Sequence, residues 1–271
     1  MSDNTELPKI IWFLWLQGIH NAPVVVKKCY DSWLKHNPDW KIIFLDESNF
    51  SEYALVSPQI LTKQAFSDIL RINLLAKYGG VWVDATCFCT KPLDTWLPEQ
   101  MQSGFFAFNR PGPDRMISSW FMASVTDNYF THVFHKAVEQ YWGRNRNLVY
   151  IENSKRKILK KYLPRLSPQA WLHPFIGKVL NVHPYFWFHY LFESVYLNNA
   201  KARQLWDNTP KISADIPHAL QSVGLFNPLT NTIKDNIDNQ TAPCYKLVWN
   251  YPPENLKAET VLDYLLNESL L

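Results

Sequence analysis

One segment constrains the fold of this 271-residue chain more than any other: an amphipathic stretch, a glycine pair, and a short apolar run ending in an acid. From Phe66 to Lys77 the apolar residues Phe66, Ile69, Leu70 and Leu74 recur at the spacing of one helix face. Gly79-Gly80 supplies the left-handed residue that stops such a helix. Val81-Trp82-Val83 then reads as a buried strand, with Asp84 where it runs out. Ligands of open α/β sheets bind at the carboxyl ends of the strands, so this acid is delivered to a binding crevice. Asp68 and Arg71, three residues apart, share one helix face and can meet the same ligand.

The flanking sequence extends the pattern. Residues 9–16 and 40–46 are continuous apolar runs of the parallel-sheet kind, and residues 24–37 between them predict a helix closed by Asn37-Pro38-Asp39. Strand, helix, strand, helix, strand over residues 9–89 predicts an α/β fold, a mixed sheet with helices on both faces. Residues 104–108 form another apolar stretch, and Pro111-Gly112-Pro113-Asp114 marks a loop after it. Residues 117–205 read as mainly helical, with the aromatic cluster at 185–190 either core or a sugar-stacking platform. Residues 209–255, rich in Pro, Asn and Asp, read as irregular. No repeat or linker divides the chain, which predicts one domain over 1–271.

Composition narrows the class. With 47% hydrophobic and 19% charged residues the chain is globular and not disordered. Its longest apolar run, residues 10–16, is too short to span a bilayer. Residues 1–8 lack the layout of a signal peptide, so a cytoplasmic location is expected. The four cysteines lack Cys-x-x-Cys spacing and read as reduced, packed thiols. Residues 144–165 carry eight basic side chains against Glu152, a net of +7, which leaves the remainder at −4 of the total +3. Within that segment Ile158, Leu159, Tyr162 and Leu163 are interleaved with cations. This layout suits either a solvated helix or peripheral contact with an anionic inner-membrane surface.

Ser67-Asp68-Ile69-Leu70-Arg71 followed by Gly79-Gly80-Val81-Trp82-Val83-Asp84-Ala85-Thr86 resembles glycosyltransferases of the capsular polysaccharide synthesis type and the wider family 32 group. The shared pattern is Ser-Asp-x-x-Arg, then Gly-Gly-Val-aromatic-x-Asp-x-Asp, and here Thr86 replaces the second Asp. The segment from Pro8 to Gly18 is similar to the family's first strand. The match is specific over roughly the first hundred residues, and beyond Asp94 only echoes such as Lys246-Leu247-Val248-Trp249 remain. The resemblance implies a nucleotide-diphosphosugar transferase (GT-A) fold, with residues 1–110 binding the nucleotide sugar and 111–271 forming a helical, acceptor-side elaboration. It implies a retaining transfer of a hexose or N-acetylhexosamine, from a UDP-linked donor, to a saccharide or lipid-linked acceptor in capsule, lipopolysaccharide or other surface polysaccharide synthesis. No nucleic-acid partner is expected.

The resemblance also assigns residues. Asp84, Asp68 and Arg71 are its catalytic and donor-sugar positions, and Trp15 its base-stacking aromatic. Lys246 and Trp249 lie where a C-terminal segment folds over the diphosphate. Asp84 and Thr86 are its positions for a divalent metal, Mn²⁺ or Mg²⁺; His218, read from the residues and not from the resemblance, is either structural or a further candidate to cap the metal or diphosphate. Read from the residues alone, Asp68 and Arg71 form an ordinary intrahelical ion pair, Trp15 is core, and Lys246 is a surface lysine. No Gly-x-Gly-x-x-Gly or Walker loop is present, so the charge of a leaving diphosphate must meet either a metal or a Lys/Arg clamp. Two rivals stay open: a metal-independent transferase using Lys246 or Arg71, and a catalytically inactive saccharide- or nucleotide-sugar-binding protein.

Overall fold

The computed structural model describes residues 6–56, 62–142, 167–176 and 183–267. Five strands form one sheet in the order β2-β1-β3-β6-β5. They are β1 (Ile10–Leu14), β2 (Lys41–Leu45), β3 (Gly80–Asp84), β5 (Phe105–Gly112) and β6 (Arg115–Ser124). β1 pairs in parallel with β2 and β3, whereas β6 runs antiparallel between β3 and β5. A second, two-stranded ladder joins β4 (Cys87–Cys89) to β7 (Cys244–Lys246).

Strand alternation sorts the core into two layers, because successive side chains leave opposite faces. Ile11, Phe13, Val81, Val83, Phe106, Phe121 and Ala123 pack toward helix α1 (Val24–His36) and the β4–β7 ladder. Trp12, Leu14, Trp82, Phe105, Ala107 and Met122 pack the other way, against α2 (Lys63–Tyr78), α3 (Tyr129–Trp142), α4 (Trp187–Asn198) and α5 (Ala200–Asn208). The expected mixed sheet with helices on both faces is therefore present.

Local chemistry sets how α2 feeds β3. Thr62 caps the helix, its hydroxyl accepting the Ala65 N–H at 3.2 Å. Gly79 stops it at φ +67°, with its N–H on the Leu75 carbonyl. A Cβ on Gly80 (φ +88°) would lie 2.6 Å from the Ile10 carbonyl oxygen, so only glycine lets β3 approach β1 here. The Trp12 indole then donates to the Gly79 carbonyl at 2.9 Å and ties the turn to the central strand.

Two expectations are corrected. Residues 115–124, read in part as helical, are strand β6; both its faces are buried, so its apolar run shows no period-two alternation to distinguish it from a buried helix. The tail read as irregular holds α6 (Asp215–Val223), α7 (Asn231–Asp238) and β7. In α6, Pro217 sits within the first turn, where its missing N–H costs no helical bond. Beyond them α8 (Val261–Asn267) buries Val261, Leu262, Leu265 and Leu266 in the first core layer.

Candidate active site

Arg71 is the hub. Its side chain is only 3% exposed, and it donates through Nη1 to Asp68 and through Nη2 to Asp84 Oδ1 at 2.9 Å. The guanidinium lies over the Trp82 ring, 4.8 Å from its centroid, with the Phe188 ring 5.6 Å away. The register of α2 and β3 makes this fork possible: Asp68 comes from one turn earlier on the same helix, and Asp84 from the end of the strand that follows. Trp82, two residues before Asp84 on the same strand face, donates its indole N–H to Asp84 Oδ1 at 3.0 Å. The Asp84 side chain remains 29% exposed, so it reaches solvent while its other oxygen faces Lys246.

One guanidinium thus serves two carboxylates, and the two respond differently. Burial pushes Asp68 up to about 6, outweighing the attraction of Arg71. Burial acts upward on Asp84 too, but Arg71, then Lys246 and the Trp82 hydrogen bond bring it below the ordinary carboxylate range. Near neutrality Asp84 is therefore the persistent anion, and Asp68 sits near the pH at which it takes a proton.

Lys246 arrives from the far end of the chain. The β4–β7 ladder pairs it with Cys87, and the Leu247 N–H closes on the Thr86 carbonyl at 2.7 Å. Its ammonium donates to the Thr86 hydroxyl and stands 3.9 Å from Asp84 Oδ2. Trp249 follows on the same segment, half-exposed, and meets Trp15 edge-on at 5.7 Å between centroids. The buried Trp15 indole N–H has no acceptor among the described residues. Asp68, Arg71, Asp84, Thr86 and Lys246 are thus joined by direct contacts, and Trp15 and Trp249 pair beside the end of β1.

His218 stands apart. On α6 its Nδ1 hydrogen-bonds the Ala214 carbonyl at 2.7 Å, its ring meets Trp120 edge-on, and burial lowers its pKa. Among the described residues no hydrogen bond or ion pair links it to Asp84 or Thr86. The donor set consequently does not suit a divalent ion. Asp84 Oδ1 already takes two donors, and both Asp84 Oδ2 and the Thr86 oxygen face an ammonium, which an incoming cation would have to displace. No cluster of three or more His, Cys, Asp or Glu able to hold an ion occurs among the described residues.

Sequence reasoning missed Trp82, Phe188, His189 and the group around Asp114. His189 is buried, with Nδ1 lacking a partner among the described residues; burial, then Arg115 and Arg71, push it down to about 3, so it is neutral. Asp114 accepts from Tyr190 at 2.8 Å and from Arg115, whose guanidinium covers Phe186 at 4.0 Å. Of the run at 185–190, residues 187–190 are buried, as the core reading expects, whereas Tyr185 is exposed and Phe186 half-buried, and the Phe188 ring also borders the site. The four cysteines are buried free thiols, as their spacing implied. The basic segment 144–165 lies outside the described residues.

The sequence profile of the family described as "Capsular polysaccharide synthesis protein" matches residues 1–151 and 168–265. The chain belongs to that family. The chain is similar to the O-glycosyltransferase braB of Annulohypoxylon truncatum, 27% identical over 186 residues, which cover 59% of the chain and 43% of braB. It is also similar to the O-glycosyltransferase PaGT of Phomopsis amygdali, 27% identical over 165 residues, covering 51% of the chain and 40% of PaGT. The matches thus span less than half the length of these two relatives. Among solved structures, the glycosyltransferase GlyE of Streptococcus pneumoniae TIGR4 aligns over 98% of the chain and 61% of its own, with 13% identity and a TM-score of 0.45. The PaToxG glycosyltransferase aligns over 86% of the chain and 84% of its own, with 16% identity and a TM-score of 0.37.

Proposed function

We propose that the protein is a glycosyltransferase that moves a hexose or N-acetylhexosamine from a nucleotide sugar, UDP-linked in the first instance, to a saccharide hydroxyl in surface polysaccharide synthesis. The observation that carries this reading is Asp84, a partly exposed carboxylate at the carboxyl end of β3, held by Arg71 and Trp82 beside Lys246. Family membership and two relatives named O-glycosyltransferases support the reaction class. Asp68, Arg71 and Asp84 orient the donor sugar by hydrogen bonds to its hydroxyls. The Trp15–Trp249 pair offers ring surface to the base and an unpaired indole N–H to a polar atom of the nucleotide.

The transfer retains the anomeric configuration by a same-face route. The bond from the anomeric carbon to the β-phosphate oxygen breaks, and its electron pair leaves with the diphosphate. The acceptor hydroxyl oxygen bonds to that carbon from the same face and passes its proton to the departing phosphate oxygen. The net charge of +7 in residues 144–165 supports a lipid-linked acceptor at an anionic membrane surface. Among the described residues no helix is long and apolar enough to cross a membrane.

The test is a thermal-shift and turnover screen against UDP-, GDP-, ADP- and dTDP-sugars. A true donor raises the melting temperature by mass action and is converted to free nucleoside diphosphate. Stabilisation without turnover on any saccharide acceptor favours the binding-protein alternative, and no stabilisation by any donor refutes the reading.

A further inference from the structure

We propose that the Lys246 ammonium takes the place of the divalent metal, so that donor binding and diphosphate departure in this protein need no ion. The inference rests on the nucleotide-sugar reading and adds the identity of the charge that meets the diphosphate. Four observations carry it.

First, the ammonium donates to the side chain at position 86 and stands 3.9 Å from the Asp84 carboxylate, the two positions to which the family pattern would assign the ion. Second, position 86 is a threonine. A hydroxyl accepts a hydrogen bond from an ammonium without adding charge, whereas a second carboxylate there would pair with the ammonium and cancel its charge. Third, Lys246 is held by backbone and not by chance of rotamer. Its strand pairs with β4 at Cys87, the next residue closes on the Thr86 carbonyl, and Gln221 Nε2 donates to its own carbonyl at 2.8 Å. Fourth, the charges balance without an ion. Two cations, Arg71 and Lys246, face two carboxylates: Arg71 serves Asp68 and Asp84, and Lys246 has only the longer, 3.9 Å approach to Asp84. The ammonium has three donors, one spent on Thr86, so it can turn toward a phosphate oxygen without leaving a carboxylate unpaired. Thr86 and Lys246 thus act as a matched pair, one removing the ion's ligand and the other supplying its charge.

The experiment measures calorimetric binding of UDP, GDP, ADP and dTDP to the full chain, after exhaustive chelation, in excess EDTA and again with manganese. The expected result is binding of one of these diphosphates in EDTA, with an affinity changed little by manganese. Lys246→Met should then weaken binding in EDTA by about ten- to hundredfold, the loss of a hydrogen bond to a charged group. Lys246→Arg should retain most of it. The combined variant Lys246→Ser with Thr86→Asp should acquire manganese-dependent binding, which Thr86→Asp alone should not, because there the new carboxylate pairs with the lysine. Binding by the wild type only with manganese overturns the inference and leaves the donor reading intact. Equal binding by Lys246→Met in EDTA overturns it as well. If none of the diphosphates binds under either condition, the donor reading fails and the inference falls with it. Should Lys246→Met not fold, the wild-type comparison of EDTA with manganese still decides.

Discussion

The two acids on Arg71 make the pH dependence of stability a sharp probe of the site. Asp68 is buried and its pKa is raised to about 6 from 3.8. A folded state that binds its proton more tightly than the unfolded chain is favoured in acid, and loses that advantage as pH rises from the unfolded to the folded pKa. At about 1.36 kcal/mol per unit, the full span corresponds to ~3 kcal/mol, of which ~2 kcal/mol falls between pH 4.5 and 7.5. Asp84 acts in the opposite sense, so raw stability curves mix the two. Asp68→Asn removes only one titration while keeping the shape of the side chain. The perturbation is read by urea unfolding of wild type and Asp68→Asn at half-unit steps over that range. The stability of wild type relative to the variant should fall by ~2 kcal/mol as pH rises, flattening above about pH 7. A flat difference would mean that Asp68 titrates alike folded and unfolded. A difference that grows with pH would mean that Arg71 outweighs burial, and the division of labour between the two acids would be wrong.

Other perturbations are simpler. Asp84→Asn should lower sugar transfer by about a hundredfold or more while circular dichroism stays unchanged, since an amide cannot hold the charge that organises Arg71 and Lys246. Arg71→Lys should lose most turnover and melt at a lower temperature, because an ammonium cannot fork between Asp68 and Asp84 while lying flat on Trp82. Gly80→Ala, with its Cβ driven against the Ile10 carbonyl at positive φ, should cost about 3 kcal/mol, or roughly 6–12 °C in a melting scan. Trp249→Ala should weaken nucleoside diphosphate binding in the same calorimeter while leaving the melting temperature of the free protein within about 2 °C, since that ring is half-exposed.

What could be read in the sequence was what local pattern encodes. The helix predicted from Phe66 to Lys77 is α2, two strands read from residues 9–16 and 40–46 are β1 and β2, and Gly79-Gly80 stops the helix as its chemistry requires. Asp84 at a strand end was legible because a run of apolar residues ending in an acid has few other uses. The contact of Asp68 with Asp84 through Arg71 was not, since helical spacing alone gives only the intrahelical pair. β6 escaped because burial on both faces erases alternation. The short helices in the tail escaped because Pro, Asn and Asp serve helix starts and turns equally well. The role of Trp82 as a donor to Asp84 was hidden behind its more obvious one as core.

The Lys246–Thr86 contact joins residues 160 positions apart. A chain leaving the ribosome amino end first can complete α2, β3 and the Arg71 fork while β7 is still unmade. Closure over so long a loop is entropically costly and belongs among the late, non-local steps of folding. Before that closure the Arg71 fork stands without the Lys246 ammonium, so the last cation to join the site is the one that folding brings from farthest along the chain.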